Sequence, residues 1–367
     1  MNWGLGHASR CVPVIRELLS GNTEVIIAAD GRALELLRKE FPELKWIRHP
    51  GYNIKYWWEG SATLQILLQL PKLVSSFYRE RKWLKRFIEQ EKIDAVISDN
   101  RYGLYSEKIP CIFITHQICI QLPKGFKWME KFFYRRNLKF IERFDECWIP
   151  DFEGEKNLSG NLSHKFPPPA NARFIGPLSR FTSTDSTDRT LPPVERDLLI
   201  VISGPENQRT KFERIMTEQG KKFSLKILLV RGIPDAVGED TNRGHNRRQN
   251  KVKENFSTID FMNAEELNRA FLSSRIIVAR SGYSTIMDLA ATRSRAILIP
   301  TPGQTEQEYL ANYLTKKGIY SSESQKEFEI VRAFAKVESF TGFKTELFES
   351  LLKENMIRLL QQLSAIS

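Results

Sequence analysis

Cysteine is scarce in this sequence of 367 residues, and the four that occur, Cys11, Cys111, Cys119 and Cys147, form no pattern. They have neither metal-ligand spacing nor the spacing of a disulfide framework, and are read as reduced core residues of a cytosolic protein. Long apolar runs are missing. None reaches the roughly 18 residues that a membrane-spanning helix needs. The first residues are glycine-rich and polar, not a charged stretch followed by an apolar one, which argues against a signal peptide. Asp-x-Asp triplets are absent, so nothing supports a bound divalent metal. Gly4-Leu-Gly6 is followed by His7-Ala-Ser9; the third glycine of the dinucleotide fingerprint is lacking, which disfavours a nicotinamide dehydrogenase. Basic residues are spread along helices without a recognised nucleic-acid motif, so no nucleic-acid partner is expected. No repeat of solenoid period occurs. Finally, no strand precedes the glycine loop at Met1–Ser9, although such loops normally follow one. The favoured explanation is an upstream segment; the other is a sheet without its central strand.

What is present is the alternation of an α/β protein. The length suits two domains and the apolar fraction of 41% suits real cores. Strand and helix signals alternate: a helix from Arg10 to Ser20, a strand from Thr23 to Ala29, a helix from Arg32 to Phe41, and a strand from Lys45 to Arg48. One or two helices follow from Ser61 to Glu91, broken near Pro71, then strands from Asp94 to Ser98, Ile109 to Thr115 and Cys147 to Pro150. A polar, proline-ended run over residues 181–196 reads as a linker. The pattern then repeats: a strand from Leu198 to Ser203, a helix up to Gly220, a strand from Leu225 to Val230, a surface loop from Asp235 to Asn255, and a helix from Ala264 to Ser273. Ser324 to Ala335 and Phe343 to Gln362 also read as helices. The expected architecture is two Rossmann-like, doubly wound parallel sheets (residues 1–180 and 197–340) facing a cleft, with a closing helix over residues 341–367 and the first strand of the N-terminal sheet apparently missing.

The most informative stretch is Ala279 to Ala291 with its continuation, Ile297 to Tyr309. Ile276 to Ala279 is a buried parallel strand ending at Ser281-Gly282, and a helix starts near Ser284. Ala296 to Pro300 is a second strand, whose Pro/Gly turn leads Gln304, Gln307 and Glu308 into another helix. Two strand ends and two helix starts meet at one edge, where open α/β sheets bind ligands and unpaired N–H groups favour phosphate. The formal charge of +11 fits an anionic partner, although charge alone also fits a solvated face.

These residues resemble the donor site of the inverting GT-B glycosyltransferases, in particular the bacterial lipid-linked N-acetylglucosamine transferase of peptidoglycan synthesis and the plant galactolipid synthases. The resemblance covers most of the chain and is strongest from about Ser257 to Tyr313. It implies a Gly-His loop (Gly4, Gly6, His7) on the acceptor side. Arg180, after Gly176, and the Ser203-Gly204 turn would lie on the donor diphosphate, and Phe261-Met262 on a uracil. It places Asp288 on the ribose hydroxyls and Gln307-Glu308 on the sugar, with Gln304, Arg280, Ser281 and Gly282 around them. Asp288 and Glu308 stand where the family usually has Glu and Gln, which leaves the donor sugar open.

His7 is one candidate base and Asp99, at a neighbouring strand end, is the other; Asn100 and His116 are candidates to bind the acceptor. The expected activity is metal-independent, inverting transfer of a sugar, GlcNAc or a related hexose, from a UDP-sugar to a lipid-linked or membrane-associated acceptor, with no cofactor beyond the donor. A UDP-sugar epimerase or hydrolase, or an inactive nucleotide-sugar-binding protein, are the alternatives. Lys124 to Arg143 is basic and aromatic. It reads either as a helix on the surface of an anionic membrane, which would make the protein peripheral on the inner face of the plasma membrane, or as an amphipathic helix packed on the sheet.

Overall fold

The structure is a computed structural model and describes residues 6–51, 69–122, 124–181, 192–204, 206–233, 250–253, 255–344 and 350–366. It is an α/β fold with parallel sheets. The C-terminal half is built on a seven-stranded sheet whose strands run in the order β13 (Ser321–Ser322), β12 (Ala296–Leu298), β11 (Ser274–Ala279), β7 (Arg196–Val201), β8 (Ile227–Val230), β10 (Phe256–Ile259) and β9 (Asn250–Lys253). Its central strands, β7, β8, β10, β11 and β12, are all parallel. Leu198, Leu199, Ile200, Ile276, Ile277 and Val278 are all buried, so these strands have apolar cover on both faces, which is why their sequences are unbroken apolar runs.

In the N-terminal half the parallel strands fall into two sheets. β1 (Ile26–Ala29) pairs with β2 (Lys45–Arg48), and β3 (Val96–Asp99), β4 (Cys111–Ile114), β5 (Glu146–Ile149) and β6 (Ala172–Phe174) form the second. The helix Gly6–Ser20 starts beside the carboxyl end of β3, where His7 meets Asp99. The C-terminal helix, Ser350–Ile366, returns to the N-terminal half, where Arg358 forms a 2.7 Å ion pair with Glu146 on β5. The large core cluster accordingly includes Val14 and Trp148 together with Leu352, Met356 and Leu359.

Several elements differ from the sequence reading. Part of the expected loop from Asp235 to Asn255 is β9 (Asn250–Lys253), an antiparallel edge strand on β10. The helix expected from Ser324 occupies Ile330–Val337 instead. Its start is set from a distant helix: the Gln219 side chain accepts from Ile330 N at 2.9 Å and donates to Phe328 O. The strands β6 and β13 (Ser321–Ser322) and the short helix Asn161–His164 carried no strong periodic signal. The proposed linker falls largely on residues 182–191, and Tyr52 to Gly60 and Gly4 likewise lie outside the described residues.

Lys124 to Arg143 becomes a 3-10 turn, Lys124–Met129, and a helix, Glu130–Ile141. Its stripe is divided. Tyr134 donates to Pro167 O at 2.7 Å and Ile141 is in the core, whereas Phe126, Trp128 and Phe132 face outward at 43%, 79% and 55% exposure.

Behind the edge of β3 lies a buried ion pair. Arg101 donates to Glu80 Oε1 at 2.6 Å and to the carbonyl of Pro50 at 2.6 Å, and Glu80 Oε2 accepts from Gly103 N at 3.1 Å. A Cβ on Gly103 would come within 2.5 Å of Glu80 Oε2, so glycine is what lets the turn close on the carboxylate. Removing one partner strands a buried charge. Glu80→Ala should therefore destabilise the fold by about 3–5 kcal/mol in urea unfolding, whereas Glu107→Ala, whose carboxylate pairs at the surface with Arg81, should change it by less than about 1 kcal/mol.

Candidate active site

The first turn of the Gly6–Ser20 helix carries His7 and Arg10 three residues apart, on one face. Asp99 ends β3 opposite them. His7 Nδ1 lies 2.8 Å from Asp99 Oδ2, and Arg10 Nε lies 2.8 Å from Asp99 Oδ1, with a second guanidinium nitrogen on the same oxygen. Arg10 is 2% exposed, so its charge is neutralised inside the protein and not by solvent.

Burial alone would raise the Asp99 carboxyl, but Arg10 and His7 outweigh it and hold Asp99 well below the usual carboxylate range. His7 Nδ1 also lies 2.9 Å from a guanidinium nitrogen of Arg10; the shorter, 2.8 Å contact with ionised Asp99 is a hydrogen bond with the His7 proton on Nδ1, because a carboxylate can only accept. Nε2 is then left with a free lone pair. Burial, then Arg10, lower the His7 pKa against the opposing pull of Asp99, so the ring is neutral near pH 7. The positive end of the helix acts in the same direction.

A second histidine extends the array. Arg10 donates to His116 Nδ1 at 2.9 Å, and His116 Nε2 lies 2.9 Å from Glu306 Oε1. A guanidinium can only donate and an ionised carboxylate can only accept, so His116 serves both contacts by accepting at Nδ1 and donating from Nε2. Its ring stacks on Tyr283 at 4.2 Å and 6°. Tyr283 opens the helix Tyr283–Ala291, and the next residue, Ser284, donates to the carbonyl of Gly6 at 2.8 Å. A Cβ on Gly6 would meet Ser284 Oγ at 2.9 Å, so two helix starts abut here and bring their positive ends to the His7–Asp99 pair.

The remaining residues singled out from the sequence are placed as follows. Asp288 is buried at 3% exposure; Ser179 Oγ donates to it at 2.8 Å and Arg180 Nε at 3.3 Å. Burial raises its carboxyl despite Arg180 and Ser179. Arg180 and Asp288 therefore stand together, joining the end of the N-terminal half to the Tyr283 helix. Gln307 accepts from Thr301 N at 2.8 Å and donates to Gln304 Oε1 at 2.6 Å, while Glu308 accepts from Gly303 N at 2.9 Å; these side chains shape the turn before their helix. Gly204 has φ +113°, a conformation that suits glycine, and lies near Thr301, whose buried hydroxyl has no hydrogen-bond partner. Lys39 lies over the ring of Phe261 at 5.0 Å, and Met262 packs against the main core.

Four residues are taken up by the fold at or behind the edge. Arg280 is 1% exposed, stacks on Phe212 at 4.1 Å, and donates to the carbonyls of Ile299, Pro300 and Gln208 and to Gln325 Oε1; burial pushes its pKa down to about 9. Ser281 is fully buried and donates to Gln307 O, with Gly282 as the helix N-cap. Asn100 adopts φ +53° and hydrogen-bonds Ile114 O through its own amide, a turn role. Arg10, Tyr283, Ser284 and Glu306 were not singled out from the sequence. Only Arg10 had a usable signal, its helical spacing from His7.

With this geometry in view, comparison places the chain. Residues 205–356 match the glycosyltransferase family 28 C-terminal domain. An uncharacterised glycosyltransferase of Methanosarcina acetivorans is 26% identical over 96% of this chain and 92% of its own. A Prochlorococcus marinus UDP-N-acetylglucosamine–N-acetylmuramyl-(pentapeptide) pyrophosphoryl-undecaprenol N-acetylglucosamine transferase is 29% identical over 36% of this chain and 37% of its own. Among solved structures, MurG of Acinetobacter baumannii superposes with a TM-score of 0.55 at 12% identity, covering 97% of this chain and 96% of that one. The chain is a GT-B glycosyltransferase.

In this glycosyltransferase the Gly6–Ser20 helix start and the Tyr283–Ala291 helix start belong to different halves of the molecule, and the His7–Asp99 pair lies where they meet. Its charge balance can be measured directly. The His7 imidazole should titrate below 6.5 in a histidine-resolved NMR titration. Asp99→Asn removes the carboxylate that favours imidazolium and should lower that midpoint further; an upward shift would contradict the arrangement.

Proposed function

We propose that the enzyme transfers a sugar, GlcNAc or a related hexose, from a uridine-diphosphate donor to a hydroxyl of a lipid-linked or membrane-surface acceptor, inverting the anomeric centre without a metal ion. The observation that carries this reading is the neutral His7 held on ionised Asp99 at 2.8 Å, against a helix start from the other half. His7 Nε2 takes the acceptor proton. The acceptor oxygen bonds to the anomeric carbon as the bond from that carbon to the diphosphate oxygen breaks on the opposite face. The leaving diphosphate gathers negative charge beside the Tyr283 helix start, the Ser203-Gly204 turn and Arg180, and fixed N–H dipoles and one cation stabilise it there. Asp99 is the weaker base candidate, because both of its oxygens are engaged by cationic or N–H donors.

The remaining donor contacts follow the family resemblance: Phe261-Met262 to the uracil, Asp288 to the ribose, and Gln307 with Glu308 to the sugar. The ribose would compete with Ser179 and Arg180 for Asp288, so donor binding calls for the junction of the two halves to shift. The Prochlorococcus relative, an N-acetylglucosamine transferase acting between a UDP-sugar and an undecaprenol-linked acceptor, supports a UDP donor and a polyprenyl-linked acceptor here. Support for a membrane-surface site comes from Phe126, Trp128 and Phe132, which face outward among the exposed Lys127, Lys131 and Arg135. Such a face inserts rings at the headgroup level and draws anionic lipid. Among the described residues no helix is long and apolar enough to cross a membrane; the attachment proposed is peripheral, at the cytoplasmic leaflet.

A panel of nucleotide sugars screened by thermal shift should show stabilisation by one UDP-sugar. With that donor and a polyprenyl-phosphate-linked acceptor, the product glycoside should have the inverted configuration by NMR, and excess EDTA should leave turnover unchanged. His7→Ala should cut kcat by at least about 100-fold. The base must be neutral, so activity falls as pH drops through the His7 pKa, and the acid limb of kcat/KM should lie below 6.5. Free UDP and sugar without a glycoside would mean hydrolysis instead.

Vesicles containing anionic lipid should sediment the enzyme in a salt-sensitive way. Replacing Trp128 and Phe132 with serine should weaken that binding several-fold while leaving the melting temperature unchanged.

A further inference from the structure

Glu306 lies at the second position of the helix Thr305–Lys316, in the C-terminal half, yet both of its oxygens serve the N-terminal half. Oε1 accepts from His116 Nε2 at 2.9 Å, and Oε2 accepts from the side-chain amide of Gln117. Burial would raise this carboxyl, but the hydrogen bond from His116, with the Arg10 charge nearby, outweighs it and lowers Glu306, which is therefore ionised. His116 passes the constraint on, because its other ring nitrogen accepts from Arg10, and Arg10 holds Asp99. The array Glu306, His116, Arg10, Asp99, His7 is continuous across the junction of the two halves. Glu306 is its only member from the C-terminal half.

Resting on the transferase reading above, we propose that Glu306 is a positioning residue of the transfer step. Carried by the donor-side half, it fixes the tautomer and orientation of His116, and through His116 and Arg10 it aligns the His7–Asp99 base only when the two halves are closed on each other. Glu306 reaches no reacting atom itself. Its helix is held against the N-terminal half by other bonds as well, since Tyr309 accepts from Asn161 N at 2.5 Å and Tyr313 donates to Asn157 Oδ1 at 2.8 Å. The junction therefore survives loss of the carboxylate, and a defect in Glu306→Ala reports alignment.

The test compares wild type, Glu306→Ala and Glu306→Gln. Glutamine keeps an oxygen that can accept from His116 Nε2–H; alanine does not. Glu306→Ala should lower kcat roughly ten-fold or more, with the KM for the UDP-sugar within about two-fold, and with UDP affinity by calorimetry and melting temperature close to wild type. Glu306→Gln should recover much of kcat. In ¹⁵N-histidine spectra, where only five histidines contribute, His116 should appear as the pure Nε2–H tautomer in wild type and as a mixture in Glu306→Ala.

The proposal is overturned if Glu306→Ala keeps wild-type kcat, if both variants lose kcat together with UDP affinity and melting temperature, or if the His116 tautomer ignores the substitution. Should wild type transfer no sugar from any UDP donor, the functional reading fails with it. The spectra would then still show whether Glu306 sets the His116 tautomer.

Discussion

The buried guanidinium of Arg10 is the constraint from which the rest of the site follows. A charge at 2% exposure has to find its counter-charge and hydrogen-bond acceptors within the protein. Arg10 finds them in Asp99 and in His116. Because Asp99 is thereby kept ionised, it can orient His7 with one nitrogen bonded and the other free. Because Arg10 can only donate, His116 is left with one possible tautomer. Two histidines thus have their hydrogen-bonding roles set around a single cation. Breaking such a pair on one side would leave an uncompensated charge. The helix carrying Arg10 is therefore tied to β3 by the same bonds that orient His7.

The second constraint is where the helices begin. The Gly6–Ser20 and Tyr283–Ala291 helices meet end to end through Ser284 and the Gly6 carbonyl, where a Cβ on residue 6 would press on Ser284 Oγ at 2.9 Å. Each presents unpaired N–H groups and the positive end of its dipole. An anionic leaving group is favoured at that junction, and a protonated histidine is disfavoured. One electrostatic arrangement thus suits both a neutral His7 and, under the proposed function, a departing diphosphate. The contacts of Tyr283 with His116, of Arg180 with Asp288, and of Glu306 with His116 hold the two halves together at this point.

Much of this was legible in the chain. Apolar runs such as Leu198 to Ile202 and Ile276 to Ala279 can be stable only as strands covered on both faces, so the α/β class followed from pattern. The Ser281-Gly282 turn, the Ser203-Gly204 turn and His7 after its glycine marked the ligand edge, since small residues and helix starts leave backbone amides open. Boundaries were less legible. The helix at Ile330 begins where Gln219, 111 positions away, supplies a partner for its first amide. The strand Asn250–Lys253 is made by pairing with β10, because a polar, charged run has no strand period of its own. Arg280 stands within the motif but spends its hydrogen bonds on carbonyls behind it, and position in a motif does not show which way a long side chain turns.

The sequence by itself determined the fold class and marked one sheet edge, with His7 and Asp99 both as candidates on it, because periodicity, small-residue turns and helix starts act over a few neighbouring residues. Only the tertiary structure decided the partnerships. Asp99 lies 92 positions from His7, His116 lies 106 from Arg10, and Glu306 lies 190 from His116. Protonation state depends on those distances, since a charge or a hydrogen bond shifts a pKa only within a few ångströms. No local pattern encodes which remote side chain will arrive there; the closing of the two halves does.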